Sequence, residues 1–163
     1  MQRRQHDVNR TAPKGAFTPS KPGSWATSDA IRKTMVGSRG RDTRPELALR
    51  SALHKMGLRF RIAVAPIAGS RRTADIVFSR DRLAVFVDGC FWHGCSEHYV
   101  PPVANAEYWI PKIERNRQRD RETNVTLAKA DWHVMRIWQH ETIESASMRI
   151  AERLNTLRAT KTG

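Results

Sequence analysis

The chain has 163 residues, 39% of them apolar, which is enough for one domain with a real core and a modest tail. Twenty-nine Lys and Arg against sixteen Asp and Glu leave a formal charge of +13, so a polyanion is the expected partner, nucleic acid first and a membrane surface second. No run approaches the roughly 18 apolar residues of a membrane span, and no apolar segment follows the basic start as in a signal peptide. The expectation is therefore a cytoplasmic protein with no membrane role.

Residues 1–26 carry Arg3, Arg4, Arg10, Lys14 and Lys21 among Pro13, Pro19 and Pro22, with almost no aliphatic side chains. Such a segment buries too little surface to offset its ordering entropy, so it is read as a disordered basic arm, either a solubilising tail or a non-specific phosphate contact. The body of the protein is expected from 27 to 158, with residues 159–163 as a disordered tail. A short helix is expected from Ser28 to Val36, followed by a Gly-Ser-Arg-Gly-Arg loop. Thr43-Arg44-Pro45-Glu46 has the form of a capping box, in which the Thr43 hydroxyl and the Glu46 carboxylate satisfy each other's exposed amides. The helix it starts should run to about Met56 and stop at Gly57, with Leu47, Leu49, Leu53 and Met56 as its apolar face.

Leu58 to Val64 alternates apolar residues with Arg59 and Arg61, the period of a strand with a basic outer face. A Gly- and Arg-containing loop leads to two further apolar runs, Ala74 to Phe78 and Leu83 to Val87, separated by a polar turn. Three strands joined by short connections form an antiparallel meander. Beyond a proline-containing loop, Glu107 to about Ala130 reads as one long helix with Pro111 in its first turn, where proline is tolerated. Its arginines at 115, 117, 119 and 121 spread around the helix, and their spacing does not separate a solvated face from a phosphate-facing one. Asp131 to Trp138 is a fourth strand, apolar on both faces. An amphipathic helix from Glu141 to about Leu157 closes the chain, with Ile143, Met148, Ile150 and Leu154 as its apolar positions. This order describes an α/β protein with a small mixed sheet flanked by helices.

Chemistry concentrates between Asp75 and His98. If the second and third strands pair through their turn, Asp75 at the start of one and Asp88 at the end of the next meet at one end of the sheet. With Glu46 nearby, they form an oxygen-rich pocket suited to a hard divalent cation such as Mg²⁺. His93, five residues past Asp88, is placed to move a water's proton. Each has a plainer role open to it: Asp75 and Asp88 as turn caps, Glu46 as a helix cap, His93 as a surface or zinc histidine. The chain's two cysteines, Cys90 and Cys95, close too short a loop for a useful disulfide. With His98, and His140 as a distant fourth, they make a donor set for structural Zn²⁺. Phe91, Trp92, Trp109 and Met35 are either core or wedges that unstack base pairs.

Met35 followed by Arg41-Asp42-Thr43-Arg44-Pro45-Glu46, then Ala74-Asp75-Ile76-Val77-Phe78, Val85 to Cys95 with its Gly-Cys-Phe-Trp-His core, Tyr108-Trp109 with Lys112, Asn116 and Arg119-Asp120, and Trp132 to Trp138 resemble the very-short-patch repair (Vsr) endonucleases. The resemblance covers about Thr27 to Arg158. It implies a restriction-endonuclease-like three-layer sandwich and Mg²⁺-dependent nicking of double-stranded DNA 5′ of the thymine in a T·G mismatch, the lesion left by deaminated 5-methylcytosine. By the same resemblance Asp75 and the Val87 carbonyl hold Mg²⁺, His93 is the acid-base residue and Glu46 orders water around the metal. Met35, Phe91, Trp92 and Trp109 face DNA, Cys90 binds zinc, and mismatch-repair proteins are implied companions. The chain departs from a familiar form of the family in having Asp88 where a second histidine stands, and Cys95, Glu97-His98 and His140 at rearranged zinc positions. Two other readings stay open: a Vsr-type nuclease for paired or branched DNA, and a zinc-stabilised DNA-binding module without catalysis.

Overall fold

The computed structural model describes residues 41–103 and 105–162. The basic arm, the helix expected at Ser28–Val36, the loop after it up to Gly40, and Met35 lie outside the described residues. The elements in order are α1 (Arg44–Lys55), β1 (Arg61–Val64), β2 (Ala74–Phe78), β3 (Leu83–Asp88), α2 (Ala106–Lys129), β4 (His133–Trp138) and α3 (Ile143–Thr162).

The four strands form one mixed sheet in the order β1-β2-β3-β4. β1, β2 and β3 are the expected antiparallel meander, with Ile62 opposite Ile76 and Val77 opposite Ala84. β4 runs parallel to β3, Val85 facing Met135 and Asp88 facing Trp138. A parallel neighbour needs a long crossover, and the 24-residue α2 supplies it. One face of the sheet presents Ile76, Phe78, Leu83, Val85 and Ile137 to α1 (Leu49, Leu53) and α3 (Ala146, Ile150, Leu154, Leu157). The other presents Ala74, Val77 and Ala84 to Leu127 of α2, with Phe86, Trp132 and Val134 packed around them. The result is three layers around a mixed sheet, a restriction-endonuclease-like α/β fold. Among the described residues no helix is long and apolar enough to cross a membrane.

Several local expectations change for identifiable reasons. The capping box does not form: Thr43 is the N-cap but makes no side-chain cap bond, and its hydroxyl instead donates to Glu46 Oε1 at 2.8 Å. Glu46 is 4% exposed, and its other oxygen takes the Asp42 amide and the Arg50 guanidinium, each at 2.9 Å. A buried carboxylate demands charged and multiple donors, and that demand overrides the local cap. Leu47 and Met56 are exposed, because the inward stripe of α1 is Glu46, Leu49, Arg50 and Leu53. Met148 is likewise off the buried stripe of α3.

The first strand is shorter than its alternation suggested. Leu58 and Phe60 pack against the core from the segment before it, and Ala63 adopts φ 49°, which breaks the period and leaves Ile62 exposed on an edge. Pro111 lies in the second turn of α2 rather than the first, because the helix begins at Ala106. α3 continues to Thr162, past the boundary expected at 158. Arg158 there holds Asp81 at 2.9 Å and Lys161 donates to the Arg80 carbonyl at 2.7 Å, so residues 159–162 prolong a docked helix instead of forming a tail.

Candidate active site and metal centre

The antiparallel pairing of β2 with β3 puts Asp75 beside the end of β3, as the turn between them required. The Val87 amide donates to Asp75 Oδ2 at 2.7 Å. Burial pushes the Asp75 carboxyl up from 3.8 to about 6; the Val87 hydrogen bond and the Arg50 charge pull it down, while the carboxylates of Glu46 and Asp88 add to the rise. Three acidic groups within electrostatic reach of one another, the central one reluctant to ionise, form a site that a hard cation relieves.

Asp88, the last residue of β3, is 3% exposed. Arg136 Nη1 lies 2.6 Å from its Oδ2, and His93 Nδ1 lies 3.5 Å from its Oδ1. The Nδ1 atom of His93 is also 2.6 Å from Asp120 Oδ2. Burial opposes a charged imidazole, but the Asp120 hydrogen bond and the charges of Asp88 and Asp120 outweigh it and raise the His93 pKa. A carboxylate only accepts, so the hydrogen belongs on Nδ1, and Nε2 is left to give or take a proton. Asp120, whose pKa is held low by His93 and Arg136 despite burial, stands in the sequence only as part of the Arg119-Asp120 pair of the resemblance, with no role attached to it. It is the one aspartate of α2, and the packing of α2 on the sheet brings it to His93. Beside His93 lies an open cleft of about 330 Å³ lined by Arg71, Arg72, Asn116, Arg119 and Arg136.

The loop after β3 folds back on itself. Cys95 N donates to the Cys90 carbonyl at 2.9 Å, and Gly94 adopts φ 61° with Arg117 pressed where a Cβ would stand. This turn gathers Cys90, Cys95, His98 and His140, whose donor atoms all lie within 4.8 Å of one another. Cys90 Sγ is 3.1 Å and Cys95 Sγ 3.7 Å from His140 Nδ1, and Cys95 Sγ is 3.9 Å from His98 Nδ1. The edges of a tetrahedron with Zn–S and Zn–N bonds are about 3.3–3.8 Å, so the donor set fits a structural Zn²⁺. His140 reaches the loop because β4 is the parallel neighbour of β3. The Glu97 amide donates to Cys95 Sγ at 3.4 Å. Burial opposes it, yet this bond and the contacts from His98 lower the Cys95 pKa, which favours the ligating thiolate.

On the far side of the loop the aromatic side chains form a cluster. Phe91, Trp92 and Trp109 stand edge to face with ring centroids 5.2–5.8 Å apart. Lys112 Nζ lies 5.2–5.6 Å from the rings of Trp92, Tyr108 and Trp109. Trp109 is 5% exposed, so it serves as the floor of the cluster, while Phe91 and Trp92 are half-buried at its rim. The structure therefore unites Asp75, Val87, Asp88 and His93 at one sheet end, next to the Cys/His nest and the rings. Glu46 stands close enough to act on Asp75, and its carboxylate is held in place by the Asp42 amide, the Thr43 hydroxyl and Arg50.

A histidine held between two carboxylates, with a further acidic cluster at the edge of a restriction-endonuclease-like sheet, fits one class, the phosphodiester-cleaving nucleases. The family model "DNA mismatch endonuclease Vsr" matches residues 26–98. The chain is 42% identical over 127 residues to the type II nicking enzyme V.NaeI of Lentzea aerocolonigenes, covering 77% of this chain and 76% of the relative. It is 46% identical over 112 residues to V.XorIIP of Xanthomonas oryzae pv. oryzae (68% and 79% covered). To the DNA mismatch endonuclease Vsr of Escherichia coli K12 it is 34% identical over 108 residues (66% and 67% covered). The chain belongs to the Vsr family and is a DNA endonuclease.

Proposed function

We propose that the protein nicks duplex DNA 5′ of the thymine in T·G mismatches, in Mg²⁺-dependent repair of deaminated 5-methylcytosine. The observation that supports this best is the convergence at one sheet end of Asp75, hydrogen-bonded to Val87, with His93, whose Nδ1 is engaged by Asp120. Asp75 and the Val87 carbonyl would hold the cation, with Glu46 ordering solvent behind them. A divalent cation held there would supply positive charge beside the scissile phosphate and would lower the pKa of a nearby water.

His93 takes that water's proton through Nε2 or returns one to the departing sugar oxygen, and Asp120 keeps the imidazole in the competent tautomer. Asp88 faces His93 and is already bound by Arg136, so its contribution is to proton handling rather than to the cation. Cys90, Cys95, His98 and His140 would hold Zn²⁺, which ties the His93 loop to the end of β4 and supplies no step of the reaction. Phe91 and Trp92 would wedge at the mismatch, where unstacking costs least, with Trp109 as their support; Met35 is a further DNA-facing residue by the family resemblance alone. A cytoplasmic setting and mismatch-repair proteins as companions accord with this role.

Incubation with T·G and fully paired duplexes plus Mg²⁺ tests the reading. The wild type should nick the T strand of the mismatched duplex alone, and Asp75→Ala should nick neither. Equal cleavage of both duplexes, or preference for branched DNA, would assign a different substrate to the same site, and no cleavage of any duplex would remove the catalytic roles.

A further inference from the structure

Arg136 faces away from the first hydrophobic cluster on β4, and its side chain is 18% exposed. Nη1 is 2.6 Å from Asp88 Oδ2, Nη2 is 3.2 Å from Asp120 Oδ1, and Nε is 3.3 Å from Asn124 Oδ1. The guanidinium also lies over the Phe86 ring, 5.0 Å from its centroid. All three nitrogens and one face of the plane are thus committed inside the protein. The two carboxylates that Arg136 holds are the same two that meet His93: Asp120 gives its Oδ2 and Asp88 its Oδ1 to Nδ1, at 2.6 and 3.5 Å. Each carboxylate therefore shares its oxygens between the guanidinium and the imidazole.

The ring so formed joins β3, β4, α2 and the zinc-candidate loop through four side chains. Its electrostatics explain why an arginine closes it. Two carboxylates converging on one imidazole nitrogen repel each other, and Asp88 is buried, so without an intervening cation one of them would turn away or take up a proton. A planar fork with several donors in fixed directions bridges both at once, which an ammonium does not do.

We infer that Arg136 is a positioning residue for the proposed nicking reaction: it holds Asp88 and Asp120 against His93 and so fixes the imidazole, without itself binding the substrate. The inference rests on the acid-base role proposed for His93. The competing role is direct phosphate binding, since Arg136 shares the cleft beside His93 with Arg71, Arg72 and Arg119. The two separate kinetically. A misplaced acid-base group lowers the rate on bound substrate, on the order of 100-fold, whereas a lost phosphate contact weakens DNA binding and its salt dependence.

The experiment compares wild type with Arg136→Met, Arg136→Lys, Asp88→Asn and the double variant Arg136→Met/Asp88→Asn. Single-turnover nicking of the T·G duplex at saturating enzyme gives the rate, and DNA affinity without Mg²⁺ gives the binding. The expected result is a loss on the order of 100-fold in rate for Arg136→Met, with Kd within about twofold of wild type and partial recovery in Arg136→Lys. The double variant removes one charge of each sign. It should fold even if Arg136→Met does not, and it should be no slower than the product of the two single effects, since both act through His93. Long-range ¹⁵N spectra of the imidazole add a readout independent of nicking: the Nδ1–H tautomer of His93 should dominate in wild type and give way to a mixture once Arg136 is lost. A weakened Kd with an unchanged saturated rate would make Arg136 a phosphate ligand and overturn the inference, as would an unaltered rate and tautomer in Arg136→Met. If wild type nicks no duplex, the proposed function fails, and the tautomer measurement still decides whether Arg136 positions His93.

Discussion

Replacing Asp75 by Asn should stabilise the folded protein while destroying its activity, and the size of the effect follows from the site. A carboxyl ordinarily at 3.8 but held at about 6 favours its protonated form in the folded state. The difference amounts to about 3 kcal/mol, trimmed by whatever solvent reaches its partly exposed edge. The sign runs opposite to that of an ion-paired aspartate. Between about pH 4 and pH 6 the unfolded chain releases this proton and the folded one keeps it, so stability falls as pH rises through that window and stays low above it. The carboxamide of the Asp75→Asn variant would keep an oxygen for the Val87 amide and carry no charge. In urea unfolding without added Mg²⁺, the variant should therefore exceed wild type by up to about 3 kcal/mol at pH 8, and the gap should close below pH 4. Saturating Mg²⁺ at pH 8 should stabilise wild type and leave the variant unmoved, because only the folded carboxylate binds the ion. A variant less stable than wild type at pH 8, or a gap independent of pH, would refute the argument that burial among Glu46 and Asp88 makes this carboxyl a cation site.

Nicking by wild type should decline as pH falls below about 6, where Asp75 takes up its proton, and a pH–rate profile at fixed Mg²⁺ checks this. Cys90→Ser or His140→Ala should reduce zinc in the purified protein to below about half an equivalent by atomic emission; unchanged zinc would remove the Cys/His assignment. Leu53→Ala empties a fully buried position between α1, the sheet and α3 and should cost about 2–5 kcal/mol in chemical unfolding. Arg158→Ala removes the partner of Asp81, whose pKa the guanidinium lowers. Half of Arg158 faces solvent, so the cost should be about 1 kcal/mol at pH 7 and vanish as acid protonates Asp81. Trp92→Ala should narrow the ratio of nicking at T·G over paired DNA more than it lowers DNA affinity, measured by nicking and binding on matched duplexes.

Much of the architecture was legible because local pattern and global packing agree. Two short apolar runs, Ala74 to Phe78 and Leu83 to Val87, with a polar turn between, dictate a hairpin. A hairpin in turn places Asp75 beside Val87 and brings both aspartates to one end of the sheet. Trp132 to Trp138 is apolar on both faces, and it is indeed covered on both. The Cys90–Cys95–His98 spacing marked the metal nest, and His140 joined it once β4 lay beside β3.

Other features were invisible in the chain because they depend on what stands opposite. Glu46 reads as a cap by spacing, but burial against Arg50 converts it into the centre of an internal charge cluster. Leu47, Met56 and Met148 are apolar in sequence, yet helix docking selects other stripes. Asp120 and Arg136 stand in motifs of the resemblance, but their pairing with His93 and Asp88 exists only once α2 and β4 pack together. The sequence alone determined which elements form and which of their ends carries the chemistry, since periodicity and turn residues act over a few positions. Only the tertiary structure decided how charges pair within that end, because a buried ion chooses its partner by direction and distance across elements, and neither is written in the spacing of the chain.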